Sequence, residues 1–354
     1  MNETGDAAAA GAPDPAVPPR DHDESEAADV PRRKSRRLAD SFRTPWTHRL
    51  VERAVAAVAW TAIVAIAFIF VFVAREAIPL LYERHEDGSF RLVDLFAPRQ
   101  WPGYDAPVYV WQPVGTPEKF NVVPLFVGTL KVTVLAMLLS VPLGVGCAMY
   151  VSQYASRRVR EIVKPVIELL ASLPSVVLGF FALIVLASSM QAVFGFRFRL
   201  NATVAAVALS LAIVPVVFTV TEDALSSVPR SLHEAAIALG ARKYQTTLRV
   251  VIPAALPGIA AAIILGFGRA IGETMIVLMA SGNAATLAPF DPTTSVRTVT
   301  ATIAAELGEV ARGEPHWRVL FLLGLMLFAL TFLLNLAGGL IVRRLHRRLT
   351  ASAT

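Results

Sequence analysis

Charge is scarce in this chain. Of its 354 residues 17% are Asp, Glu, Lys or Arg against 55% hydrophobic, and the mean hydropathy is +0.56. Soluble globular domains carry about 25% charged residues, so that class is excluded and a membrane protein is implied. Cysteine is almost missing: Cys147 stands alone in an apolar run, which excludes a disulfide or cysteine-built metal site within the chain and reads as small packing. The histidines (His22, His48, His85, His233, His316 and His346) lack ligand spacing, and the patterns GxxxxGK(S/T), GxSxG and HExxH do not occur. No catalytic residue, metal or cofactor is therefore expected in this chain. The net charge of +6 would suit nucleic acid, but the basic residues cluster beside apolar segments rather than along one helix face, so topology accounts for them and no nucleic-acid partner is expected.

Apolar length is what the chain has in abundance. A hydrocarbon core of about 30 Å takes roughly 20 apolar residues at 1.5 Å rise each. Six windows qualify, 54–74, 122–151, 165–189, 200–221, 254–283 and 317–342, of which two enclose Pro142 and Pro215, tolerable as kinks inside a bundle. Residues 1–53 read as a disordered extension, with Ala, Pro, Asp and Glu up to residue 30 and then the basic cluster RRKSRR at 32–37. That cluster lies too far ahead of 54–74 for an ordinary signal peptide, so 54–74 is expected to be retained as the first span. Lys and Arg then orient the chain: twenty fall on one side, at 32–53, 157–164, 230–249 and 343–348, against nine on the other. By the positive-inside rule both termini are cytoplasmic, 346–354 is a cytoplasmic tail, and 75–120 is an outer loop whose Trp101, Tyr104, Tyr109 and Trp111 would lie on the membrane surface.

Between the fourth and fifth spans, 221–253 reads as helix, turn, helix. Ser231 with Glu234 three residues on gives capping-box spacing, Gly240 can end the first helix, and a second runs from Lys243 until Pro253 stops it. Short amphipathic helices of this kind either lie on a membrane or dock in another protein's groove.

The segment Glu234-Ala235-Ala236, three residues, Gly240, nine residues, then Val250-x-Ile252-Pro253 resembles the EAA loop of ABC-importer permeases, with Val for Ile and Ile for Leu in the closing I-x-L-P. GRAIGETM from 268, SGN at 281–283, LPSVVLGFFAL at 173–183 and IVPVVFTVTEDALSSVP at 213–229 are similar to phosphate-specific permeases of the PstC type. The resemblance implies an all-α polytopic membrane protein of six transmembrane helices with a type I ABC importer (MetI-like) core over 121–345. It further implies that the 221–253 loop couples to a dimer of separate ATP-binding subunits. The remaining partners it implies are a PstA-type permease, a periplasmic phosphate-binding protein, inorganic phosphate and the lipid bilayer of the inner membrane. An ABC permease for another solute, or a proton-coupled secondary transporter, stands as the alternative.

Charges inside the spans are the candidate path residues. Arg269 sits mid-span, where an isolated arginine costs about 2.5–3.5 kcal/mol, and Glu273 follows four residues on, one turn away if the helix continues. Gly268, Gly272 and Thr274 flank them, the glycines leaving room for a solute or a second helix. Lys131 is expected to snorkel to the outer interface, Glu168 to make a fold or gating contact, and Glu222 and Asp223 to face water.

Overall fold

A computed structural model describes residues 46–82 and 92–351. The extension up to residue 45, residues 83–91 of the 75–120 loop, and 352–354 of the tail lie outside the described residues. The chain divides at 64/65 into two units. The described part of the first unit is the start of helix α1 (Trp46–Ala77), which is exposed from Leu50 to Val64.

Among the described residues six helical stretches are long and apolar enough to cross a membrane, from Leu50–Tyr82 to Pro315–Leu345. Within the bundle α2 (Val123–Met149) and α6 (Ala202–Ser226) pack most extensively, and α9 (Ile252–Gly272) lies against α6 and α12 (Pro315–Ala351). Small and β-branched side chains allow that closeness: Ala136, Ala205, Ala208, Ile213 and Val217 form a cluster with at most 1% exposure. At Gly128 of α2 a Cβ would collide with the carbonyl oxygen of Arg297, so only glycine fits that approach.

Two windows differ from the expected spans. The third divides at Leu173–Pro174, because proline withdraws its preceding residue from the helical region. Before the break, α3 (Arg157–Ser172) is amphipathic, with no buried residue, and after it α4 (Ser175–Phe181), a π turn (Ala182–Leu186) and α5 (Ala187–Phe194) form the span. The fifth window, 254–283, is also broken: α9 ends at Gly272 and α10 (Met275–Ala280) is a separate short helix.

The 221–253 loop differs in its details. Its first helix, α7 (Arg230–Ala238), starts after Pro229 and has no side-chain cap, so Ser231 lies inside the helix. Pro253 does not stop the second helix. Lys243–Thr246 (α8) continues through a π turn (Thr247–Val251) into α9, with the Ile252 amide bonded to the Thr247 carbonyl. That five-residue offset moves the backbone where the proline ring would otherwise meet a carbonyl.

On the opposite end of the bundle a two-stranded hairpin, β1 (Trp111–Gln112) and β2 (Lys119–Phe120), pairs Trp111 with Phe120. Trp101 and Trp111 are buried, at 6% and 5% exposure, so they do not lie on a membrane surface. The Trp111 Nε1 donates to Glu306 at 3.1 Å, and Glu306 also holds Arg297 at 2.7 Å and His316 at 2.9 Å. This network fastens the hairpin to α11 (Val299–Glu306) and α12. Lys131 is likewise drawn inward: its Nζ donates to the Ala288 carbonyl at 2.6 Å and to Thr294 Oγ1 at 3.0 Å, fixing the 284–298 loop where snorkelling was expected. In that loop Asp291 accepts from the hydroxyl and the amide of Thr293, which hold its carboxyl below the usual carboxylate range.

Candidate functional site

The break in the fifth span brings the GRAIGET residues together differently from a helical pair. Glu273 adopts φ −69° and ψ 130°, which turns the chain out of the helix. Its Oε1 accepts from the amides of Thr274 at 3.1 Å, Met275 at 3.2 Å and Ile276 at 3.4 Å. Ending and restarting a helix within a span leaves amide donors without intrahelical partners, and this carboxylate satisfies the first of them in α10. The Glu273 carbonyl in turn accepts from Thr300 Oγ1 of α11 at 2.9 Å, and Thr274 Oγ1 donates to the Gly272 carbonyl at 3.3 Å. Glu273 is a cap, and the expected Arg269–Glu273 pair is not formed.

Arg269 instead stands free. It is exposed on the chain's surface, and among the described residues it makes no hydrogen bond or ion pair. Leu265 and Gly272 are exposed with it, four residues before and three after, which is one stripe of α9. A guanidinium facing lipid would carry the insertion cost of about 2.5–3.5 kcal/mol, so this stripe requires protein or water opposite it. The glycines are not demanded by packing inside the chain: a Cβ at Gly268 would meet Asn335 Oδ1 at an ordinary 3.6 Å, and one at Gly272 would meet nothing within 4 Å.

At the other end of the bundle the loop residues form a protruding helix. Gly240, at φ +82°, closes α7: its amide bonds the Ile237 carbonyl at 2.8 Å and the Ala241 amide bonds the Ala236 carbonyl at 3.1 Å. This is a Schellman closure, which needs a left-handed residue at that position. Glu234 and Ala235 are exposed and Ala236 is half-buried, while Leu232, Ile237 and Leu239 expose 43%, 51% and 89% of their surface. Apolar side chains so exposed on one short helix mark a contact surface. Glu234 borders a cleft together with Arg230, His233 and Lys243 but forms no ion pair with them. Val250, Ile252 and Pro253 are half-buried, and the core contact is made by Val251, at 3% exposure.

One residue at the root of this loop departs from the sequence reading. Glu222 is buried, with its Oε2 2.7 Å from the Lys164 Nζ of α3 and its Oε1 accepting from Ser226 Oγ at 3.2 Å. It does not face water, and the pair ties the amphipathic helix to the end of α6. Asp223, its neighbour, is exposed, as is Glu168.

Comparison with known proteins places this architecture. The model for the binding-protein-dependent transport system inner membrane component matches residues 140–351. A probable ABC transporter permease protein, YqgH of Bacillus subtilis, is 35% identical over 228 residues, covering 63% of this chain and 72% of its own. The phosphate transport system permease protein PstC of Mesorhizobium japonicum is 33% identical over 259 residues, covering 67% and 77%. In fold, the chain resembles a bacterial alginate ABC transporter crystallised with its alginate-bound periplasmic protein, with a TM-score of 0.55 at 16% identity over 84% of this chain and 96% of that one. With six helices able to span a membrane and a family match over most of its length, the chain belongs to the binding-protein-dependent transport system inner membrane components, the permease subunits of ABC importers.

Proposed function

We propose that the protein is the PstC-type permease of an ATP-driven importer of inorganic phosphate and forms half of the translocation path. The observation that carries this reading is the unpartnered Arg269 on an exposed stripe of an apolar span, beside a helix break. An arginine offers a planar fork of donors that matches phosphate oxygens, and a path shared between two permease chains supplies the protein or water that the stripe requires. The relatives named for phosphate transport support the solute.

The chain performs no covalent chemistry in this account. Separate ATP-binding subunits hydrolyse ATP, and their closure is transmitted through the α7 surface of Glu234, Ala235, Ala236 and Gly240, backed by Val250, Ile252 and Pro253. A PstA-type permease faces the Arg269 stripe, and a periplasmic phosphate-binding protein delivers solute to the hairpin face. Both termini and the 221–253 loop are cytoplasmic. The reading is tested in the reconstituted complex by measuring ATP hydrolysis with the binding protein, with and without phosphate. Stimulation by phosphate-loaded binding protein is expected. Equal hydrolysis with and without phosphate, or stimulation by another solute alone, refutes the solute assignment.

A further inference from the structure

Two cavities open on the hairpin face, and their charges differ. One of about 800 Å³ is bordered by Glu118, Glu306, Glu309 and Glu314 as well as Arg297 and His316. Carboxylates outnumber cations there, which disfavours an anion. The other, of about 720 Å³, has a lining with a single charged side chain, Arg312, and no carboxylate. It is also lined by Thr274 and Thr300, the two hydroxyls that hold the broken fifth span, and by Trp317.

We infer that this second cavity is a receiving site for a protonated oxyanion, in which Arg312 binds the charge and Thr274 and Thr300 select for a bound proton. The Arg312 guanidinium lies 5.8 Å from the centre of the Trp317 ring, and among the described residues it makes no ion pair or hydrogen bond. A cation resting on an aromatic face keeps its in-plane donors free. The Trp317 ring is itself fixed, because its Nε1 donates to Glu76 at 3.1 Å.

The hydroxyls complete the site in a specific way. Thr300 gives its proton to the Glu273 carbonyl at 2.9 Å, so that its 3.4 Å contact with the Thr298 hydroxyl takes up one of its two lone pairs, and Thr274 gives its proton to the Gly272 carbonyl. What both oxygens offer the cavity is therefore acceptor lone pairs. A solute that satisfies an arginine and two acceptors must carry negative charge and an O–H of its own. Hydrogen phosphate does so at neutral pH, whereas sulfate has no proton to give. The inference rests on the phosphate-import reading and extends it from Arg269 to a point on the hairpin side of the helix break.

Phosphate uptake and binding-protein-stimulated ATP hydrolysis, measured together in proteoliposomes of the complete complex, test this. Arg312→Gln is expected to lower uptake roughly tenfold or more, the loss of one charge-assisted hydrogen bond, while stimulated hydrolysis stays within about twofold of wild type. Arg312→Lys should recover part of the uptake, and Thr300→Ser should exceed Thr300→Val. If Arg312→Gln transports normally beside an active wild type, the receiving site is refuted and the phosphate reading survives. If uptake and stimulated hydrolysis fall together in Arg312→Gln, the residue docks the binding protein and the inference is refuted. Equal uptake by Thr300→Ser and Thr300→Val refutes selection by the hydroxyls. A wild-type complex that takes up no phosphate removes the solute assignment and this inference with it.

Discussion

A carboxylate that closes three amides in an apolar zone is tested by what replaces it. Glu273→Gln keeps the accepting oxygen and loses the charge, while Glu273→Ala leaves the amides of Thr274, Met275 and Ile276 without their partner. Loss of such a cap costs about 0.5–2 kcal/mol. Glu273→Ala should therefore lower the unfolding midpoint of the detergent-solubilised complex, and Glu273→Gln should stay near wild type. Equal destabilisation by both would mean that the charge matters and that the cap does not. At this scale the sequence was misleading because spacing four residues apart presumes a continuous helix, whereas Gly272 followed by an acidic residue and an apolar run is itself a stop-and-restart signal. Lys131 and Glu222 also differ from what their sequence positions suggest. Their partners, in the 284–298 loop and on α3, are 157 residues away in the first case and 58 in the second, beyond any local pattern.

At the scale of elements, proline acts in opposite ways at two places. Pro174 separates an amphipathic helix from a span, while Pro253 is absorbed by a π turn so that the second loop helix and the fifth span are one continuous rod. A displacement of α7 thus has a direct mechanical route to Arg269 through α8 and α9. Hydropathy revealed six spans because that signal is summed over about 20 residues. It did not reveal the break at Glu273, since a single polar residue hardly alters the window average, nor the burial of Trp111, which depends on Glu306 far along the chain. Ahead of the rod, Gly240 closes α7, and its left-handed φ of +82° costs a side-chain-bearing residue about 1–2 kcal/mol. Gly240→Val should leave the permease in the membrane yet reduce co-purification of the ATP-binding subunit severalfold, measured as the subunit ratio after affinity capture. An unchanged ratio together with unchanged transport would show that α7 is not the coupling surface.

For the whole molecule, the account requires the hairpin face and the loop face to lie on opposite sides of the membrane. Val114 in the hairpin turn is 85% exposed and Ser227 at the loop root is exposed. Single cysteines at these positions, in a Cys147→Ser background, should react differently with an impermeant thiol reagent applied to intact cells: Val114→Cys labels and Ser227→Cys does not. Labelling of both, or of Ser227→Cys alone, would overturn the orientation. The claim that joins all three scales is that Arg269 faces the route of phosphate between two permease chains. It is tested most directly by ATP-driven phosphate uptake into proteoliposomes containing the complete complex, wild type against Arg269→Gln. The account predicts that Arg269→Gln assembles and hydrolyses ATP but loses phosphate uptake, and that Arg269→Lys, lacking the donor fork, restores only part of it. Normal uptake by Arg269→Gln, or its failure to assemble, would contradict the account.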